Sequence, residues 1–165
     1  MWHVHRTARA DSTLETLGHY TQVIVPAYAM GMAAHEHDWE GVKQFALSFA
    51  VSEIGVKGLK LFVKEDRPDH SDKKSFPSGH TAVAFSGATF IHRRYGWKRA
   101  IIPYILATFT GYTRVAEKRH HLHDVIAGAA LSSLITWAFV SKYGKHNIQI
   151  SANPNGALLN FSTTF

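Results

Sequence analysis

Three charge-poor stretches, residues 20–34, 100–113 and 125–141, limit what this chain can fold into. Each supplies about four helical turns of largely apolar side chains, and each is shorter than the ~20 residues a helix needs to cross a bilayer. Proline, glycine and clusters of charge separate them, so the pattern reads as a bundle of distinct helices. A slightly negative mean hydropathy agrees, and predicts a water-soluble or peripheral protein rather than a conventional multi-span one.

Local signals place the helices. Ser12-Thr13-Leu14-Glu15 has the form of a capping box, opening a first helix that runs toward Ala34 with Pro26 kinking it. Asp38 reads as the cap of a second helix, on which Phe49, Glu53, Val56, Lys60 and Val63 share a face, and Arg67-Pro68 ends it. After a polar loop over 69–75, Pro77 opens a third helix whose inward face is Ala82, Phe85 and Thr89, stopped at Arg93-Arg94-Tyr95-Gly96. A fourth runs from about Lys98 to Arg114, and a last starts near His120, with Gly128 allowing close packing. The tail alternates on either side of Asn153-Pro154-Asn155-Gly156, which predicts a small hairpin over 147–165. The expected fold is all-α, about five to six helices over residues 12–143 with a small C-terminal β-hairpin, in one domain of 165 residues.

A net charge of +6 and 12 histidines favour anionic partners: phosphorylated substrates, anionic lipid surfaces or nucleic acid. The absence of cysteine excludes disulfides, thiolate nucleophiles and thiol-ligated zinc. The first nine residues hold no apolar run of signal-peptide length, so no targeting segment is expected in them. Trp97 beside Lys98 and Arg99 is the best candidate for an interfacial anchor.

Three islands carry chemistry. Lys60, Arg67 and Arg114 are cations suited to the equatorial oxygens of a phosphoryl group, the arginines as bidentate forks and the lysine as a point charge. Ser78-Gly79 opens a helix, where free backbone N–H groups bind anions and glycine permits close approach; His80 projects from that turn as a general acid and base. His120 and Asp124 are four apart, so on a helix they share a face and the carboxylate can hold the Nδ1 proton while Nε2 attacks phosphorus. Two histidine clusters, His120, His121 and His123 with Asp124, and His35-Glu36-His37-Asp38, lack a full ligand set at standard metal spacing, so neither metal nor cofactor is expected. Glu53 reads as a neutralising neighbour of Lys57 and Lys60.

Lysine, six residues, Arg-Pro; Pro-Ser-Gly-His; then arginine, five residues, histidine, three residues, aspartate: this ungapped pattern, over about 60–128, resembles the type 2 phosphatidic acid phosphatase superfamily. That superfamily includes bacterial acid phosphatases and vanadium haloperoxidases. The resemblance implies that His120 is the nucleophile, Asp124 its orienting partner and His80 the acid and base. It also implies that Lys60, Arg67, Ser78, Gly79 and Arg114 bind phosphate. Thr113 stands where the family usually has serine, and these apolar segments are shorter than those of six-span members. The activity implied is a metal-independent phosphatase acting on a phosphomonoester or pyrophosphate, of a lipid or isoprenoid at the cell envelope, through a phosphohistidine. A vanadate-dependent haloperoxidase and a non-enzymatic basic membrane-binding module are the alternatives. The partners expected are a phosphorylated lipid or small phosphate and a peripheral membrane contact, with no nucleic acid and a homo-oligomer allowed. The expected location is periplasmic and membrane-associated.

Overall fold

Small and hydroxylic residues recur where helices of this chain meet, and they set how closely the bundle is drawn together. The computed structural model describes residues 13–153 and 156–164, with side chains described for 13–144. Among the described residues five helices form the fold: α1 (Thr13–His35), α2 (Trp39–Phe62), α3 (Gly79–Tyr95), α4 (Trp97–Ala116) and α5 (Leu122–Phe139). Ser12 of the expected capping box lies outside the described residues.

The central helix is α3, which packs against all four others, while α1 lies on α4 and α2 on α5. Its buried positions are mostly small, among them Ala82, Ala84, Ser86, Gly87, Ala88 and Thr89, so neighbours approach from every side. At one end of the bundle Phe90 and Ile91 join Ala29, Ala33, Phe45, Ala100 and Val140 in an apolar cluster. Midway, Val25, Ala84, Ala88 and Ala107 form a second. A Cβ on Gly128 would run into the carbonyl oxygen of Ser78, so only glycine lets α5 cross the start of α3 this closely.

Polarity is arranged inside out. The buried face of α5 is Asp124, Gly128, Ser132 and Thr136, one residue per turn, while Leu122, Ile126, Leu134 and Trp137 face outward. Ser48, Ser52, Ser86, Thr89, Thr110 and Thr113 are buried as well. Most of these hydroxyls donate to carbonyls of their own helix, as Ser52 Oγ does to Ser48 at 2.8 Å and Thr113 Oγ1 to Thr110 at 2.8 Å. Others link helices, with Thr21 and Thr110 at 2.8 Å and Thr89 and Ser133 at 3.0 Å. Ile54, Phe62, Ile102 and Ile105 stay exposed. The expectation that every apolar stretch is too short to cross a membrane is corrected for α5. Its 18 residues have a mean hydropathy of 1.4, enough by length and composition, and only 22% of them are buried in the bundle. Counting uninterrupted charge-free runs overlooked that its one carboxylate, Asp124, is buried against protein.

Several helix ends differ from the sequence reading. α2 stops at Phe62, five residues before Arg67: Val63 turns extended while its N–H still reaches Leu59, and Glu65 then pairs with Lys74 in an isolated parallel bridge. α3 starts at Gly79 with Ser78 as its cap, so Pro77 precedes the helix. α5 starts at Leu122, capped by His121, and His120 therefore lies outside it. Beyond α5 the backbone runs as strands β1 (Lys145–Asn153) and β2 (Gly156–Thr164), paired antiparallel. Residues 154–155, where a hairpin would turn, lie outside the described residues, and the helical fold stands without them.

One polar clamp closes the end of the bundle away from the islands. Asp38 caps α2 through the Gly41 N–H (2.9 Å) and accepts a bidentate fork from Arg94 (2.7 and 2.6 Å) and the Tyr95 hydroxyl (2.8 Å). Arg94 also donates to the carbonyls of Ser141 and Lys142, tying the chain after α5 to the turn between α1 and α2. Truncating Asp38→Ala leaves the buried guanidinium without its carboxylate, and is expected to lower stability by roughly 3–5 kcal/mol in thermal or denaturant unfolding.

Candidate active site

The site forms at the opposite end, where α2 and α4 finish and α3 and α5 begin. Arg114, in the last turn of α4, is buried; its Nη2 donates to the Glu15 carbonyl (3.0 Å) and its Nε to Thr113 Oγ1 (3.2 Å). A side chain at Gly18 would collide with both Thr113 and Arg114, so this glycine lets α1 seat the guanidinium. After α4 the chain turns, and the His120 N–H donates to the Arg114 carbonyl at 3.1 Å.

Asp124 organises the rest. As the third residue of α5 its Oδ2 accepts the His121 N–H (2.8 Å) and the Ser75 hydroxyl (2.5 Å), while its carbonyl accepts the Ser78 N–H (2.9 Å). His120 Nδ1 stands 3.6 Å from the same Oδ2, close enough for charge coupling and longer than a hydrogen bond. The two side chains are thus brought together, without the hydrogen bond to Nδ1 that was expected and by a different route. The two residues do not share a helix face; His120 precedes the cap, and Asp124 meets it by turning back over the first turn of α5.

Burial first, then the nearby Arg67 and Lys60 cations, depress the His120 imidazole to about 4, against an opposing pull from Asp124. At neutral pH the ring is therefore uncharged, the form that can act as a nucleophile.

His80 sits in the first turn of α3 within electrostatic reach of Arg114, His120 and Arg67. Its Nε2 lies 3.1 Å from Nδ1 of His19 on α1, the rings meeting edge to face at 4.7 Å. His19 also faces Gln22 Nε2 at 3.3 Å and is exposed. Sequence reasoning missed His19, because no local pattern reports the register of α1 on α3.

The cations already have protein partners. Lys60 Nζ donates to the Lys74 carbonyl (2.8 Å), and Arg67 pairs with Asp72 (2.8 Å) and donates to the Arg119 carbonyl (3.2 Å). Arg119 in turn bridges Glu15 (2.8 Å) and Asp69 (3.3 Å), fastening both loops to α1. Ser78 is buried with its N–H given to Asp124 and its hydroxyl against Thr81 (3.0 Å), so it fastens α3 to α5. At this helix start the first-turn N–H groups of Gly79 and His80 have no carbonyl acceptor within the helix. A cleft of about 410 Å³ at the far end is lined by Arg93, Arg94 and Arg99, and there Glu36 pairs with Arg99 while His92 faces the Tyr104 hydroxyl.

Known proteins resemble this chain in sequence and in fold. The sequence profile of the PAP2 superfamily matches residues 41–148. The chain is 43% identical over 93 residues to lipid A 1-phosphatase of Porphyromonas gingivalis, a match covering 54% of this chain and 21% of that protein. It is 28% identical over 141 residues to lipid A 4'-phosphatase of Helicobacter pylori, covering 79% and 71%. The chain thus spans about a fifth of the first relative's length. The crystal structure of Aquifex aeolicus LpxE superposes with a TM-score of 0.64 at 25% identity, covering 78% of this chain and 86% of that one. The matched profile runs through Lys60, His80 and His120 alike, and the chain belongs to the PAP2 superfamily.

Proposed function

We propose that this chain is a membrane-embedded phosphatase that removes phosphate from an envelope lipid through a phosphohistidine on His120. The observation that carries the proposal is a buried, neutral imidazole set against Asp124 with Lys60 and Arg67 beside it. His120 Nε2 attacks phosphorus, so a P–N bond forms as the ester P–O bond breaks, and His80, neutral until a phosphate monoanion delivers a proton to it, passes that proton to the departing alkoxide. Water then loses a proton to His80 and attacks phosphorus; the P–N bond breaks and inorganic phosphate leaves. Arg67 exchanges Asp72 for a phosphate oxygen, Lys60 and Arg114 supply further positive charge, and the first-turn N–H groups of α3 complete the cradle.

Two features point to a lipid. Leu61, Phe62 and Leu122, adjoining Lys60 and His120, are exposed, making an apolar lip beside a charged cradle. The inside-out distribution of hydroxyls and aliphatic side chains is that of helices solvated by acyl chains, where small residues hold the interior together. Lipid A phosphate is the first substrate to try, given the relatives, with isoprenoid pyrophosphate second; the site end faces the periplasm.

Replacing His120 by alanine is expected to abolish phosphate release from lipid A, and quenching in alkaline denaturant, where a P–N bond survives, is expected to trap acid-labile labelled phosphate on the wild-type protein alone. Full activity in that variant would end the proposal. Asp124→Asn is expected to lower kcat, as the ring that becomes positive on phosphorylation loses the negative charge 3.6 Å from its Nδ1.

Because His120 is depressed from 6.5 to about 4, it remains neutral through mildly acidic solution. The acid limb of kcat/KM should therefore lie nearer 4 than 6.5. The folded state binds fewer protons than the unfolded one in that window, so this group's contribution to stability falls as pH drops from about 6.5 to 4. An acid limb centred on 6.5 or higher would contradict the assignment.

His19 is proposed as a positioning residue, fixing the His80 ring for proton transfer through the 3.1 Å contact between them. His19→Ala should lower kcat for an alkyl phosphate by roughly tenfold, part of the ~10²–10⁴-fold that acid–base catalysis supplies. The loss should be much smaller for p-nitrophenyl phosphate, whose leaving group needs no proton; equal losses on both would assign His19 a structural role only.

A further inference from the structure

We propose a divalent transition-metal site, zinc in type, on the flank of the nucleophile, formed by Glu65, His123 and Asp124 with His121 as a fourth donor. The grouping of His120, His121 and His123 with Asp124 lacked a full set in the sequence. The fold changes its membership: His120 turns inward, and the loop after α2 supplies Glu65 from 58 residues away.

Glu65 Oε1 lies 2.7 Å from His123 Nε2 and 3.8 Å from His121 Nε2, and His123 Nε2 lies 3.3 Å from Asp124 Oδ1. Donors at the ~2.0–2.1 Å of a tetrahedral zinc sit about 3.3 Å from one another, and the donor atoms of Glu65, His123 and Asp124 all lie within 4.8 Å of one another, so side-chain shifts bring these three into a coordination shell and His121 closes on it from the Glu65 side. The two imidazoles stack almost parallel, 8° apart with centroids at 5.3 Å, with both Nε2 atoms close to the same carboxylate. Glu65 is itself steadied by the bridge to Lys74, and His121 would give up a 3.1 Å contact with the Asp66 carbonyl to join.

The second observation is independent of the cluster's composition. Asp124 is fully buried, and while Oδ2 takes two hydrogen bonds, Oδ1 has none and faces His123. A buried carboxylate oxygen without a donor is a costly arrangement that a cation would relieve. Imidazole and carboxylate donors without thiolate suit zinc and its divalent neighbours.

Occupancy inhibits. A cation on Oδ1 neutralises the carboxylate that supports His120, and adds positive field where the ring must itself become positive on phosphorylation. The site would therefore hold the enzyme in check when divalent metal is plentiful, with no part in the reaction.

The test is a zinc chloride titration of the purified full chain, by calorimetry and by phosphate release, in wild type, His123→Ala and Glu65→Gln. Wild type should bind one zinc with micromolar affinity and lose activity over the same range. Both variants should keep their basal rate, bind zinc at least tenfold more weakly and need at least tenfold more for half inhibition. Equal affinity in all three proteins, or no stoichiometric binding, would overturn the site, and binding without inhibition would overturn its coupling to His120. The inhibition arm rests on the phosphatase reading; the calorimetric arm does not, so a chain without turnover still decides the site.

Discussion

A carboxylate taken out of water must be met by donors from whatever surrounds it, and at the working end of this bundle that requirement falls on Asp124. The cap of α5 gives it an N–H, the loop before α3 gives it a hydroxyl, and the cap of α3 donates to its carbonyl. One turn later Gly128 lets α5 lie directly on Ser78. The helix junction and the support for His120 are thus one set of contacts. A change that loosens the junction misplaces the imidazole, and the site cannot be described apart from the packing that makes it.

At the other end, the Asp38–Arg94 clamp does comparable work with no chemistry attached. Between the two ends the bundle relies on close approach rather than on large apolar side chains. Alanine, glycine, serine and threonine let backbones come together, hydroxyls bond within or between helices, and many of the bulky aliphatics point away, Val25, Val56, Ile91 and Val140 being buried. In water this would leave a wide apolar surface without cover; against acyl chains it is the ordinary solution, since lipid offers no reason to bury leucine.

Much of this was legible in the sequence, for reasons that are local. Asp38 as a cap, Gly96 as a stop and the six-residue interval from Lys60 to Arg67 can be read without knowing what packs on what. The spacing of four brought His120 and Asp124 together on paper from a premise the structure replaces and with a hydrogen bond the structure does not make, because that spacing fits a shared helix face and also fits a capping aspartate reaching back to a residue before its helix. The end of α2 was placed five residues late, since Arg67-Pro68 forbids helix there without saying where helix has already stopped. His19, Glu15, Arg119 and Glu65 enter through contacts between distant parts of the chain, and nothing in their own neighbourhoods announces it. The fitness of α5 for a bilayer was hidden by treating Asp124 as a charge in solution when the fold buries it.

The exposed Leu61 and Phe62 beside Lys60 have a kinetic meaning. A substrate guided by an apolar lip is met by lateral diffusion, in two dimensions, so its volume concentration ceases to be the controlling variable. For the lipid substrate proposed above, turnover would follow the number of phosphorylated lipids per unit area around the protein. Diluting them with inert lipid at constant bulk amount then slows the enzyme as surely as removing them.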